Sequence, residues 1–249
     1  MKINLEGRYE NNLLEYLENF IKQKIPNSKD LCVLDIGANI GNHSIFFSEL
    51  FERVYSFEPN PLTFEILNIN SRYACKRKNI QTFKIGISNK NEKVYFRNNL
   101  INSGNSSIIS EEEYNQNKDN SFKIDVVTLD KIDFLGGRNI GLIKIDIEGH
   151  ELNALKGAEN LIRQHKPVIF FWTRKKVFKN GSSEVINYLS NLGYIFYQYK
   201  KRFYLGETKF AKYLTHFLNY LNGNKMRLSK TSRFTKKYHD LIIAVYTKS

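Results

Sequence analysis

Residues 31–41 read LCVLDIGANIG, and residues 54–61 read VYSFEPNP. Each begins as an apolar run and ends on an acid, Asp35 in the first and Glu58 in the second. Between them lie a turn with Gly37 and Gly41 and a helix-sized segment. Strand, turn, helix, strand is the opening of an α/β sheet. It brings both carboxylates and the loop to the carboxyl edge, where such sheets bind nucleosides. The turn is not the dinucleotide one. Gly-x-Gly-x-x-Gly lays backbone amides on a pyrophosphate, whereas here Asp35 stands at the first Gly position. A carboxylate facing the ligand repels a diphosphate and attracts a cation. The expected ligand is therefore a nucleoside with positive charge, and S-adenosylmethionine, with its sulfonium and its ammonium, fits. Glu58 at the second strand tip is placed to accept both ribose hydroxyls. The competing reading is that both acids only cap helices, where a carboxylate favours the positive helix end.

The rest of the chain continues the alternation. Segments 54–57, 79–85, 140–146, 166–172, 193–199 and 240–247 are apolar and read as strands, with helical patterns over 61–74 and 150–165. This order predicts a mostly parallel sheet covered by helices on both faces. At 249 residues the chain suits one domain, 1–249, with an N-terminal amphipathic helix within 1–27 carrying Leu13, Leu14, Leu17, Phe20 and Ile21 on one stripe. The polar stretch 98–121 reads as a long loop. No apolar run is long enough to span a bilayer, and the expected location is the cytoplasm. Cys32 and Cys75 are too few for a disulfide framework, and Cys32 reads as a small core residue.

A second chemical cluster lies at LIKIDIEGHELNALKG, residues 142–157. A buried strand delivers Asp146 to its end, and Glu148, Gly149, His150 and Glu151 crowd the following turn. Three carboxylates and an imidazole so close together are costly unless they hold a ligand, a metal or one another. The plainer alternative is a helix start in which Glu148 and Glu151 complement the dipole and His150 is solvated. As catalytic base, His150 is the first candidate because its ordinary pKa suits the task. Asp146 and Glu148 are rivals, and His43 is a further option.

These motifs resemble the FkbM family of S-adenosylmethionine-dependent methyltransferases. The resemblance rests on DIGANIGNHS (35–44), FEPNPLTFEIL (57–67), KIDIEGHELNALKGA (144–158) and KPVIFF (166–171). It implies a class I methyltransferase fold, a Rossmann-like three-layer αβα unit with a seven-stranded sheet whose last strand is antiparallel. It also implies methyl transfer to oxygen, commonly on sugars. By residue, it implies a cofactor loop of Asp35, Gly37, Asn39 and Gly41, with Glu58, Pro59 and Asn60 at the ribose and Asp146 near the methionine end and the acceptor. The family often places a Glu after KPVIFF; here Trp172 stands there and is taken as an acceptor contact. With that second acid missing, no required metal is expected.

The charge is concentrated. The chain carries +13, and residues 200–238 hold eleven Lys or Arg against the single acid Glu207, which is +10 of that total. Within this stretch Phe210, Tyr213, Leu214, Phe217, Leu218 and Leu221 fall on one helical stripe, and Lys225, Arg227 and Lys230 follow. The expected role is a lid between the last two strands that receives an anionic acceptor, a nucleotide- or phosphate-linked sugar or a surface glycan. An anionic membrane surface is another candidate contact, and a merely solvated Lys-rich insertion is the third reading. Two other function classes stay open. One is an RNA methyltransferase using the basic stretch, against which stand the absence of an Asn-Pro-Pro-aromatic motif and of a separate RNA-binding module. The other is a non-catalytic nucleoside-binding protein. Neither the sugar nor the oligomeric state is legible.

Overall fold

The computed structural model describes residues 11–98, 106–116, 118–133, 137–172, 182–201 and 226–232, together with 234, 241–247 and positions 208, 211, 213, 214 and 218. The first half runs α1 (Asn11–Lys24), β1 (Cys32–Ile36), α2 (Asn42–Leu50), β2 (Arg53–Phe57), α3 (Pro61–Tyr73) and β3 (Ile80–Phe83). Then follow β4 (Gly86–Ile87), β5 (Glu92–Arg97), β6 (Ser107–Ile109), α4 (Glu111–Gln116) and β7 (Ser121–Val127). The chain then makes β8 (Ile140–Ile145), α5 (Glu151–Lys156), α6 (Glu159–His165), β9 (Val168–Phe171) and α7 (Glu184–Asn191). It closes with β10 (Tyr194–Lys201), β11 (Met226–Thr231) and β12 (Ile242–Tyr246).

The main sheet has the order β3-β2-β1-β8-β9-β12-β10-β11. β3, β2, β1, β8 and β9 are parallel, and β12 runs antiparallel between β9 and β10. Seven of these strands give the expected class I arrangement, with the antiparallel strand last in the chain. The eighth, β11, corrects the strand count. It comes from the basic stretch expected to be a lid and hydrogen-bonds antiparallel to β10 at the sheet edge. Arg227 and Lys230 are exposed while Met226, Leu228, Ser229 and Thr231 are half-buried, so the strand is only partly covered, as suits a sheet edge. Phe210, Phe217 and Leu221 of the expected stripe, and Lys225, lie outside the described residues.

The second correction concerns 98–121. Parts of it form β6 and α4, and its last residue opens β7, within a second sheet of order β4-β7-β5-β6. A capping box starts α4: Ser110 Oγ accepts from Glu113 N at 3.1 Å, and Glu113 Oε2 accepts from Ser110 N at 3.0 Å.

Period-2 alternation divides the main sheet between two cores. Leu34, Ile36, Ile143, Ile145 and Phe171 pack under α5, α6 and α7, whereas Val33, Val54, Leu142 and Phe170 pack under α1 and α2. The N-terminal stripe is the packed face of α1, where Leu14, Leu17, Phe20 and Ile21 are buried. Cys32 is also buried, and burial first, then the nearby Glu52 carboxylate, pushes its thiol up to about 11.

The same alternation puts Asp35 on the α2 face. Directly across the parallel ladder stand Lys144 on β8 and Ser56 on β2. Lys144 Nζ lies 3.0 Å from Asp35 Oδ1, and the two side chains are 2% and 0% exposed. Ser44 Oγ donates to Asp35 Oδ2 at 2.5 Å, and Ser56 Oγ donates to Ser44 Oγ at 2.9 Å. Lys144 Nζ also donates to the Gly37 carbonyl at 2.6 Å. A buried ion pair broken on one side leaves an uncompensated charge. Lys144→Met should therefore destabilise the fold by about 3–5 kcal/mol in urea unfolding, and Asp35→Asn with Lys144→Met should recover most of that loss. An unchanged unfolding midpoint in the single variant would refute the pairing.

Candidate active site

The loop after β1 is held on two sides. Gly37 N and Ala38 N both donate to Phe57 O at 3.0 Å, and Asp146 N donates to Ile36 O at 3.0 Å. Gly37 has φ 73°, and a Cβ there would fall 2.1 Å from the Asp146 carbonyl oxygen. Only glycine lets the β1 turn touch the end of β8. The contact brings the two motifs of the sequence to one place.

There an open cleft encloses about 710 Å³ of space, mouth included. Gly37, Asn39, Glu58, Pro59 and Thr63 line one side, and Asp146, Glu148 and His150 another. The second sheet closes it with Phe96, Ile108 and Ile124. Glu58, Asp146 and Glu148 give the wall three carboxylates, and none of the described lining residues is Lys or Arg.

Glu58 is placed as the sequence reading expected. Its Oε2 accepts from Asn39 N at 3.0 Å and its Oε1 from Asn60 N at 2.9 Å. Each oxygen keeps a lone pair for a ligand hydroxyl. Burial raises the carboxyl to about 7, against the two amide hydrogen bonds, which favour the ionised form.

Asp35 is a correction. It does not face the cleft; its carboxylate is spent on Lys144 and Ser44. The strand period points Ile36 to one side of the sheet and Asp35 to the other. Gly41, with φ 91°, starts α2 and packs against Leu67 rather than the cleft. Asn60 caps α3 by accepting from Leu62 N at 3.1 Å, and donates to Asn98 Oδ1 at 2.9 Å. Its side chain acts on the helix, while its backbone amide serves Glu58.

The catalytic candidates are also sorted by environment. Asp146 is solvent-accessible at the cleft, yet crowding desolvates its carboxyl and raises its pKa; Lys144 opposes that rise, and Glu148 and Asp35 add to it. His150 Nε2 lies 2.9 Å from Ser88 Oγ and its Nδ1 3.3 Å from Asn153 Nδ2. With the amide donating to Nδ1, the ring proton sits on Nε2 and points at Ser88. Both nitrogens are engaged, and burial lowers the imidazole pKa. Ser88 reaches His150 because Gly157 carries no Cβ, which would fall 1.9 Å from the Ser88 carbonyl oxygen. His43 is buried on α2 beside Trp172, with ring centroids 5.4 Å apart, and burial brings its pKa down to about 4. It does not line the cleft, and neither does Trp172, which caps the α2-side core.

Arg227 and Lys230 lie on β11, five strand positions from β1. Asp146 directly follows β8, four positions away, and Glu58 directly follows β2, six away; at about 4.8 Å per strand these are roughly 19 and 29 Å, too far for a direct contact. Lys144, Thr63, Ser88, Asn153 and the apolar wall of the second sheet escaped the sequence reading. A lysine inside the otherwise apolar IGLIKI was the one visible signal among them.

The family model of the methyltransferase FkbM domain matches residues 35–196, more than half of the chain. The hexuronic acid methyltransferase AglP of Haloferax volcanii is 30% identical over 142 residues, covering 57% of this chain and 55% of AglP. The methyltransferase sdnD of Sordaria araneosa is 27% identical over 158 residues, covering 51% of this chain and 60% of sdnD. The chain thus spans little more than half the length of these relatives. Among solved structures, the methyltransferase FkbM of Methylobacillus flagellatus KT matches 88% of this chain and 44% of its own at 19% identity, with a TM-score of 0.45.

The Glu58 environment has a pH consequence. The folded chain binds a proton at about 7 where the ordinary carboxyl value is 4.5, so the unliganded fold loses stability from this residue as pH rises between those values. The loss is on the order of 3 kcal/mol. Urea unfolding at pH 5 and pH 8 should show a smaller pH dependence in Glu58→Gln than in the parent; equal dependence would mean that Glu58 is not desolvated.

Proposed function

The chain belongs to the methyltransferase FkbM-domain family, and on that premise we propose that it is an S-adenosylmethionine-dependent O-methyltransferase acting on a sugar hydroxyl. The observation that carries the cofactor is the cleft wall. Three carboxylates without a described cationic side chain favour a sulfonium and an ammonium and disfavour a diphosphate. The residues that would hold it are Glu58 at the ribose hydroxyls and the Gly37–Asn39 turn beside them. When bound, the cofactor supplies a methyl group on positive sulfur, and transfer leaves a neutral thioether.

The chain's own work is alignment, water exclusion and proton removal. We assign the proton acceptor to Asp146. Its raised pKa makes it a stronger base than an ordinary carboxylate, and it is open to the cleft. His150 becomes a positioning residue, held between Ser88 and Asn153. The apolar side chains of β5, β6 and β7 close the cleft against water.

For the acceptor, the relative AglP is a hexuronic acid methyltransferase by name. A sugar, including one with an acidic group, is the acceptor class this supports. The net charge of +13 would steer an anionic glycan toward the protein without any contact from Arg227 or Lys230 at the reacting atoms.

Labelled methyl transfer onto a panel of hexuronate-containing and neutral nucleotide sugars, with RNA as a control, tests the reading. Transfer to a sugar hydroxyl is the expected result, and transfer to RNA alone would overturn it. Asp146→Asn should lower turnover by about 10²–10⁴ while leaving the fold intact. His150→Gln, which keeps a hydrogen-bonding group, should cost about tenfold or less. Equal losses in both variants would return the base assignment to His150.

A further inference from the structure

Helix α3 buries one face and leaves another bare. Thr63 and Leu67 are buried, whereas Leu62, Ile66, Ile69 and Tyr73 are 64%, 41%, 56% and 83% exposed. These four positions are spaced by four, three and four residues, which places them in one stripe along the outer side of the helix. They account for four of the five large apolar side chains that the described residues expose. Isolated apolar residues on a surface need no explanation, but a stripe the full length of a helix does.

The stripe is symmetric about its own centre. Lay a second α3 antiparallel across the first, with a two-fold axis between Ile66 and Ile69. Leu62 then meets Tyr73 of the other copy, and Ile66 meets Ile69, in both directions. The 4-3-4 spacing is that of the core positions of an antiparallel helix pair. The flanking charges agree with this arrangement. Glu65 and Arg72 are exposed and stand seven residues apart on the same side of the stripe. In the antiparallel pair each copy's Glu65 faces the other copy's Arg72, giving two equivalent ion pairs beside the apolar seam. A parallel two-fold pair would instead set the Glu65–Arg72 flank of one copy beside the Thr63–Asn70 flank of the other, and no charge pair would form. On the opposite flank, Thr63 and Asn70 are committed to the body of the same chain, and Asn70 Nδ2 donates to the Ile40 carbonyl at 2.7 Å.

We propose that the outer face of α3 is a homodimer surface, occupied by α3 of a second copy in an isologous antiparallel pair. An isologous contact requires a surface complementary to itself, and both the apolar spacing and the charges meet that requirement. A 13-residue helix is about 20 Å long, and its stripe falls below the roughly 800 Å² per partner of a standard interface. The pair is accordingly a concentration-dependent dimer, not an obligate one. Since α3 follows the Glu58–Pro59–Asn60 tip and carries Thr63 of the cleft wall, the seam lies next to the site and tethers one of its edges.

Sedimentation equilibrium of the full chain from micromolar to hundreds of micromolar should show a reversible shift from 29.3 kDa to twice that mass. Ile66→Glu should leave only monomer. Glu65→Arg alone and Arg72→Glu alone should each weaken association about tenfold, because each turns two attractive pairs into repulsive ones. The double variant Glu65→Arg with Arg72→Glu should restore it. All three positions are exposed, so circular dichroism and thermal unfolding should be unchanged. A monomer at every concentration overturns the proposal, as does a dimer that Ile66→Glu leaves intact. Weakening in both single charge variants without rescue in the double variant also overturns it, and so does a monomer that instead floats with anionic vesicles in an Ile66-dependent manner. These outcomes are independent of methyl transfer.

Discussion

The fold's chemistry hangs on one buried ion pair. Asp35 and Lys144 face each other across two adjacent parallel strands, in the interior, with almost no exposure. Removing two charges from water is expensive, and an apolar pair of similar size would often be as stable. What an apolar pair could not supply is the third contact, from Lys144 Nζ to the Gly37 carbonyl. That bond fixes the turn that Gly37 presses against the end of β8. The turn's next two peptide units carry the Asn39 amide to Glu58. A single ammonium thus couples the first and second motifs, and the cost of burying it is offset by the shape of the site.

The acids illustrate how environment decides role. Asp35 is neutralised by a cation and a hydroxyl, and so contributes structure. Glu58 is buried but holds two backbone amides, which keep it in one orientation while leaving it easily protonated. Asp146 opens to the cleft yet is desolvated by its neighbours, which raises its affinity for a proton. Glu151 never reaches the cleft wall; it is buried and accepts from Gly149 N at 2.8 Å, closing the turn that presents Glu148. Four carboxylates of nearly equal intrinsic acidity become an ion-pair partner, a hydrogen-bond acceptor, the proposed base and a turn clasp. Position on the sheet edge, not residue type, separates them.

Much of this was legible in the chain, and the misses have physical causes. The parallel strands were visible because strands buried on both faces read as continuous apolar runs. The approach of Asp35, Glu58 and Asp146 to one edge followed from their places at strand ends. The orientation of Asp35 was misjudged, although LCVLDI itself holds the answer: Leu34 and Ile36 share a face, so Asp35 must take the other. The second sheet was hidden because β5, β6 and β7 are half-solvated, with charges such as Lys93, Lys123 and Asp125 on their outer positions. The capping box at Ser110 and Glu113 was present in the sequence and would have argued against a plain loop over 98–121. The edge strand β11 was masked by its Lys and Arg, which are the residues that guard an edge strand against further pairing.

The second sheet also changes what the cleft can do. Three carboxylates around a water-filled groove would be screened and would bind a cation weakly. Phe96, Ile108 and Ile124 stand across from them and replace part of that water with hydrocarbon. In a lower local dielectric each carboxylate attracts a cation more strongly and is itself easier to protonate. Both consequences suit the proposed methyl transfer, in which positive sulfur would be drawn in and a desolvated carboxylate would be the better proton acceptor for a hydroxyl. The small sheet, built in part from the segment that looked least structured, therefore sets the dielectric in which the acidic edge of the large sheet stands.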